Sequence, residues 1–457
     1  MSGMKQVFDE VIRKVKPNMA EVQVSFELFS RIASFVKDEY GLSAKLMGSV
    51  AKDTFLTGDK DLDIFVFFPV SVSREDLERK GLEIGKAVFE KFGCRDYVVS
   101  YAEHPYTKGV IDRYEVEVVP AYSIRSTKNL RSAVDRTPFH TKYVLSNLKR
   151  NDEVRVLKKF LKGIGCYGSD LKTEGFSGYL CEILVIHYGS FLKVIEGAQD
   201  WKYQQIIDAS GFYSSRSYKT VARMFKDQPL IVVDPVDKNR NVAAVLSLQK
   251  LSRFIVCARK FSVKPELKYF FPRKRRIDGL SIVRAYEDKG VRIYAVVFER
   301  PADVIEDVLY PQLRKMLLNF VGFLGRNDFV CVDSWVFGDD ECGVGFKVAN
   351  VNVSKYKVVC GPSVFNQVKH QEGFIKMHKN RKVWLKDDRY VAEVERECLL
   401  IDDCVKLFFG GSKDDVKGRG VPANIADGIC AGFRVLKGKQ VLKVKSREFW
   451  DGVENRI

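Results

Sequence analysis

Two aspartates, Asp61 and Asp63, stand one residue apart at the mouth of the apolar run Ile64-Phe65-Val66-Phe67-Phe68. Side chains alternate faces along a strand, so residues i and i+2 point the same way. Two carboxylates on one face repel each other unless something positive lies between them. The segment DRYEVEVVPAY (112–122) repeats the arrangement, with Glu115 and Glu117 on one face and Val116 and Val118 on the other. Acids leading into an inner strand pack poorly but suit a metal. Asp61, Asp63 and one of the two glutamates could converge on divalent cations, and hard oxygen ligands of this kind favour Mg²⁺.

Periodicity indicates the elements that must hold these acids. Ala44–Met47 reads as a short strand leading into Gly48-Ser49, and the acid-bearing strand spans 61–69, stopping at Pro69. Asn18 with Glu21 resembles a capping box. It opens a helix with apolar residues Val22, Phe26, Phe29, Ala33 and Val36, which Gly41 ends. Arg74–Phe92 reads as a second amphipathic helix, and Tyr97–Tyr101 and Tyr114–Val119 as strands. Residues 146 to about 260 are largely helical by pattern. PELKYFFPRKRR (265–276), with two prolines and the basic run Arg273–Arg276, marks a boundary. Beyond it, strand-like Val291–Phe298, a long helix over Asp303–Leu324 and strand-like Phe329–Phe337 imply a mixed α/β body, with a ferredoxin-like arrangement as one candidate.

At 457 residues the chain exceeds a single core and implies two to four domains. Its 46% hydrophobic and 12% aromatic content excludes wholesale disorder. An excess of 76 basic over 59 acidic residues, +17, suggests a polyanionic partner, nucleic acid before membrane; the plainer reading is a merely soluble basic protein. MSGMKQVFDE lacks the apolar core of a secretory signal, and no stretch of about 18 apolar residues predicts a membrane span. Ten scattered cysteines without a CxxC pair argue against zinc and for free thiols in the cytoplasm. His370 and His378 match no ligand spacing and read as surface residues.

Gly48-Ser49, an eleven-residue gap, Asp-x-Asp before an apolar strand and a later third acid resemble the polymerase-beta nucleotidyltransferase superfamily. SAVDRTPFH (132–140), EVRVLKKFLKGIGCYGS (153–169), GFSGYLCEILVIHYGSF (175–191) and VVDPVDKNRNVAA (232–244) narrow the resemblance to the archaeal class I CCA-adding enzymes, which are tRNA nucleotidyltransferases. The resemblance is close over about residues 40–250 and looser beyond. It implies an α+β multidomain fold: a polymerase-beta-like nucleotidyltransferase head (1–145), a helical neck for nucleotide base recognition (146–262), and a mixed α/β body and tail for tRNA binding (263–457).

It further implies template-independent addition of C, C and A to the tRNA 3′ end from CTP and ATP, with two Mg²⁺ ions and release of pyrophosphate. Asp61, Asp63 and Glu117 would be catalytic and hold both ions. The family pattern has a longer acid in the first position and aspartate in the third, so this chain exchanges long for short. Ser49, Lys52, His140, Lys158 and Tyr167 match phosphate or ribose contacts, and Arg240 matches the arginine that reads the base. Lys159 should face elsewhere on its helix. Asp234-Pro235 reads as a turn that fixes the Arg240 segment.

The C-terminal third has a basic, Gly-punctuated texture. VKHQEGFIKMHKNRKVWLKDDRY (368–390) carries seven Lys or Arg residues with Phe374 and Trp384 among them. GGSKDDVKGRG (410–420) reads as a flexible loop whose Lys413, Lys417 and Arg419 neutralise tRNA phosphates. The partners expected are the tRNA acceptor stem and 3′ end and nucleoside triphosphates, with no membrane; a homodimer is compatible. Two alternatives stand beside this reading: another RNA-tailing enzyme, such as a poly(A) or oligoadenylate polymerase, and a catalytically silent RNA-binding relative.

Overall fold

The strand that begins at Asp61 lies inside a five-stranded mixed sheet, and the N-terminal part of the chain is built around it. The computed structural model describes residues 2–101, 104–273 and 277–454. The chain divides into two compact units, one through residue 274 and one from residue 275.

The first unit opens with α1 (Ser2–Val15) and α2 (Met19–Tyr40). Asn18 and Glu21 form the expected capping box, and Gly41 ends α2 at φ 64°, a left-handed conformation that glycine adopts without strain. The buried stripe of α2 runs through Leu28, Ile32 and Val36, whereas Phe26, expected on the apolar face, is 43% exposed. Leu28, Ile32 and Val36 pack in one cluster with Leu62, Ile64, Val66 and Phe68. The chain then runs through β1 (Ser43–Leu46), a one-turn helix α3 (Gly48–Ala51), β2 (Asp61–Phe68), α4 (Arg74–Lys91), β3 (Val98–Tyr101), β4 (Pro105–Ile111) and β5 (Tyr114–Tyr122), and the five strands form the sheet in the order β1-β2-β5-β4-β3. The periodicity did not predict β4, whose proline and glycine weaken the strand pattern.

Every side chain of β2 from Ile64 onward is buried, because both faces are covered. Leu62, Ile64, Val66 and Phe68 pack against α2 and α4. Phe65 and Phe67 pack with Met47, Val119 and Ala121 on the other face. Period two therefore places Asp61 and Asp63 as the polar continuation of that second face.

The unit continues through α5 (Thr137–Asn147), α6 (Asn151–Gly163), α7 (Gly178–Tyr188), α8 (Phe191–Ala198), β6 (Gln205–Ile207), α9 (Tyr218–Met224), β7 (Leu230–Asp234), β8 (Asp237–Asn241) and α10 (Leu248–Val263). Helices dominate as expected, but β6, β7 and β8 form a small sheet among them. Asp234 ends β7, and Pro235-Val236 make the turn into β8. Phe160, Phe191, Phe254, Phe261 and Phe270 cluster in the core.

The second unit contains α11 (Gly279–Glu287), β9 (Arg292–Phe298), α12 (Glu306–Arg326), β10 (Cys331–Gly338), β11 (Cys342–Val348), β12 (Tyr356–Ser363), α13 (Val368–Met377), β13 (Val383–Lys386), β14 (Arg389–Glu395), α14 (Ile401–Phe409), α15 (Lys413–Gly418), α16 (Ala423–Ala431), β15 (Phe433–Lys437) and α17 (Arg447–Glu454). Its main antiparallel sheet has the order β10-β11-β9-β15, which is the ferredoxin-like order. A second sheet, β12-β14-β13, carries the basic 368–390 segment with α13. Within that segment His378 is buried against Phe374, with ring centroids 4.6 Å apart, so it is not a surface residue; His370 is exposed.

Of the basic run at the boundary, Lys274, Arg275 and Arg276 lie outside the described residues. All ten cysteines are free thiols. No single helix among the described residues is long and apolar enough to cross a membrane.

Candidate active site

Parallel pairing of β2 with β5 sets Asp61 opposite Glu115 and Asp63 opposite Glu117. All four acids therefore line one side of a cavity of about 320 Å³, which Gly48, Ser49, Lys52, Lys108, Lys158 and Tyr167 also line. Gly48 is required twice. It sits at φ 65°, and a Cβ there would lie 1.7 Å from Asp63 Oδ2.

Burial first, and then the charges of Glu117 and Asp61, push the Asp63 carboxyl up to about 6. Asp61 is raised too, by burial and by Asp59 and Glu115. The repulsion is thus only partly relieved, by Lys52 and Lys108 at Asp63 and by Lys108 and Lys162 at Asp61. The Lys108 Nζ stands 2.9 Å from Glu115 and 3.3 Å from Glu117. Among the described residues no three Asp, Glu, His or Cys side chains are close enough together to ligate an ion as placed. The donor set still fits a hard divalent cation: carboxylate oxygens crowded on one face, with raised proton affinity where that crowding is greatest. Glu115 and Glu117 share this face, so the third ligand is not decided by which way the strand points.

The opposite wall is basic and buried. Lys52, just past α3, contacts Glu182 Oε2 at 2.6 Å. Thr54 donates through Oγ1 to Glu182 Oε1 at 2.6 Å. Lys158 on α6 donates to the Thr54 carbonyl at 3.0 Å and approaches Glu182 at 3.9 Å. Glu182 is fully buried, and Lys158 is 2% exposed. One carboxylate thus serves two ammonium groups. Burial lowers the proton affinity of Lys158, while Glu182 acts to raise it. Burial also holds the Tyr167 phenol well above its usual range, so it stays protonated. Gly178 keeps this corner open, since a Cβ there would meet Tyr167 Oη at 3.2 Å and Lys158 Nζ at 3.4 Å. Lys159 lies over the Phe271 ring, facing away as expected.

A third group forms around Asp234, which is fully buried. His140 Nε2 lies 2.9 Å from its Oδ2, Arg240 Nη1 donates to the same oxygen at 2.8 Å, and the Tyr179 hydroxyl donates to Oδ1 at 3.2 Å. Burial alone would raise the Asp234 carboxyl, but its hydrogen bond with His140 holds it below the usual range. His140 stacks on Tyr179 at 4.1 Å and is lowered, mainly by burial. Arg240 lines an adjoining cavity of about 670 Å³ with Arg136, Ser177, Gln228 and Asp237. His140 therefore sits with Arg240 rather than among the lining residues of the acid-walled cavity.

Sequence reasoning did not single out Lys108, Thr54, Tyr179, Glu182 or Asp234 as site residues. One signal was available for Glu182, a lone acid inside the apolar helix GYLCEILVIHY. In the second unit, the expected 410–420 loop is instead helical over α15, because Ser412 and Asp415 form a capping box. Lys413 pairs with Asp427, and Arg419 Nη1 donates to the Gly410 carbonyl at 2.6 Å, while Lys417 is exposed.

Three family models match the chain: a nucleotidyltransferase domain over residues 29–140, a tRNA nucleotidyltransferase second domain over 152–271, and a CCA-adding enzyme C-terminal domain over 289–438. The CCA-adding enzyme of Pyrococcus abyssi is 38% identical, covering 87% of this chain and 88% of that relative. That of Archaeoglobus fulgidus is 33% identical over 96% of each. A solved structure of the Cid1 terminal uridylyl transferase aligns over 60% of this chain and 98% of its own, with TM-score 0.46 and 13% identity.

Proposed function

This chain belongs to the CCA-adding enzymes, and from that premise we propose that it adds cytidine, cytidine and adenosine to the 3′ end of tRNA, using CTP and ATP without a nucleic-acid template. One observation carries the reading: a single cavity with carboxylates on one wall and buried ammonium groups on the other.

The terminal 3′ hydroxyl of the tRNA attacks the α-phosphorus of the nucleotide. A new P–O bond forms, the bond between the α-phosphorus and the α,β-bridging oxygen breaks, and pyrophosphate leaves. Little covalent work falls to the protein, so positioning and charge neutralisation do most of the catalysis. Asp61, Asp63 and Glu117 would hold two divalent cations, Mg²⁺ by donor type, which would supply charge neutralisation for the transfer. Ser49 donates to the triphosphate from a glycine-led turn, beside Lys52, Lys158 and the protonated Tyr167. Asp234 fixes the Arg240 guanidinium and His140, leaving further donors of Arg240 to read the base.

In this reading residues 1–145 perform the chemistry, 146–262 recognise the nucleotide, and 263–457 bind tRNA, with Lys413, Lys417 and Arg419 near its phosphates. The setting in this reading is cytoplasmic, and a homodimer is compatible with it. The test is incubation with Mg²⁺, labelled CTP and ATP, and tRNA lacking its terminal CCA. The reading predicts two cytidines and one adenosine, and then arrest. Long adenosine tracts without cytidine would mark another RNA-tailing enzyme, and no incorporation would mark a silent relative.

A further inference from the structure

The acid wall carries one basic side chain for which the reaction has no evident need. Antiparallel pairing of β4 with β5 sets Lys108 directly opposite Glu117, with Val110 opposite Glu115. The Lys108 ammonium bridges the two glutamates, at 2.9 Å to Glu115 and 3.3 Å to Glu117. Glu117 is thus both the proposed third ligand and one partner of an ion pair. We infer that Lys108 is an internal counter-ion that withholds Glu117 from divalent cations until nucleotide arrives, and that Glu115 is the site to which the displaced ammonium retreats. This inference rests on the carboxylate reading above.

Three observations support it. Glu115 is the nearer partner of Lys108, so the lysine can release Glu117 without losing its ion pair. Its side chain is 38% exposed, and a lysine on a four-carbon stem can swing into water at little desolvation cost. Its positive charge also opposes a divalent ion at the same oxygens, so cation entry and retention of the bridge exclude each other. A triphosphate supplies the negative charge that favours the cation over the lysine. Cation and nucleotide should therefore load together, and the nucleotide-free protein should bind cation weakly. The pair of glutamates, one residue apart on one face, gains a division of labour: one ligates, and the other holds the lysine aside.

The test is titration of the full-length, nucleotide-free protein with Mn²⁺, with free Mn²⁺ read by electron paramagnetic resonance. Lys108→Met should bind Mn²⁺ about tenfold more tightly than wild type, solvent screening limiting the gain. Lys108→Arg should match wild type, and Glu115→Gln should bind more weakly, because it leaves the ammonium on Glu117. Thermal melts with and without Mn²⁺ provide a second readout, with a larger metal-induced rise in Lys108→Met. Unchanged or weaker Mn²⁺ affinity in Lys108→Met would overturn the inference, as would a variant whose main defect is weaker metal-free ATP binding. Asp63→Asn separates the two levels. If it abolishes Mn²⁺ binding while Lys108→Met changes nothing, only the role of Lys108 falls. If it leaves Mn²⁺ binding intact, the carboxylate reading itself fails.

Discussion

The two walls of the acid-lined cavity solve the problem of like charge in different ways. On one, Lys108 pairs with Glu115 and Glu117, and Asp63 remains pushed up to about 6 despite the charges of Lys52 and Lys108. On the other, Lys52 and Lys158 share Glu182, which is wholly buried, with Thr54 completing the bonds. The basic wall is closed and hydrogen-bonded within the protein; the acidic wall is left short of positive charge. The contrast is that of a site finished by its ligands on one side only. Under the proposed function, the charge left uncompensated is where a cation would bind, and the charge compensated in the interior belongs to the wall that would face phosphate.

The contrast would break most visibly at Asp63. Asp63→Ala should cut incorporation of both CTP and ATP by about a thousandfold or more, with tRNA binding largely kept, as judged by single-turnover kinetics and a binding assay. A smaller loss at the basic wall should appear in a different observable. Glu182→Gln leaves two buried ammonium groups without their carboxylate and should lower stability by about 3 kcal/mol in chemical denaturation, because a broken buried pair strands its partners. Loss of activity without loss of stability there would make the two walls alike.

Titration sharpens the comparison further. Asp63 has a raised folded-state value, so its own contribution to the stability of the metal-free protein falls as pH rises from about 4 to about 6, where the unfolded chain ionises first. The full effect is at most about 3 kcal/mol. Melting curves in chelator should show this fall as the difference between wild type and Asp63→Asn, and Mg²⁺ together with nucleotide should offset it above pH 6.

Much of this arrangement was legible in the chain. The i, i+2 acids, the glycine before Ser49 and the capping box at Asn18 follow from local geometry, whereas the choice of Lys158 over Lys159 came from the family resemblance. What the sequence hid lies across strands and between helices. Lys108 belongs to a strand interrupted by Pro105 and Gly109, and only the β4–β5 register brings it to Glu117. Glu182 meets Lys52 across 130 residues of sequence. Asp234 was recognised as part of a turn and not as the shared acceptor for His140, Tyr179 and Arg240. The α15 helix was mistaken for a loop because its glycines outweighed the Ser412–Asp415 cap.

The smallest effect concerns that helix. Lys413 and Arg419 are already engaged, with Asp427 and the Gly410 carbonyl. Replacing both together with Lys417 by alanine should reduce the salt dependence of tRNA binding by about one phosphate contact, not three. A drop of three would show that both intramolecular partners yield to RNA.

The most direct test of the polarised cavity is a crystal structure with Mn²⁺ and a non-hydrolysable CTP analogue, using the anomalous signal of manganese. We predict manganese peaks ligated by Asp61 and Asp63, with the triphosphate running toward Ser49, Lys52 and Lys158. Manganese absent from the acid wall, or a triphosphate lying away from those lysines, would contradict it.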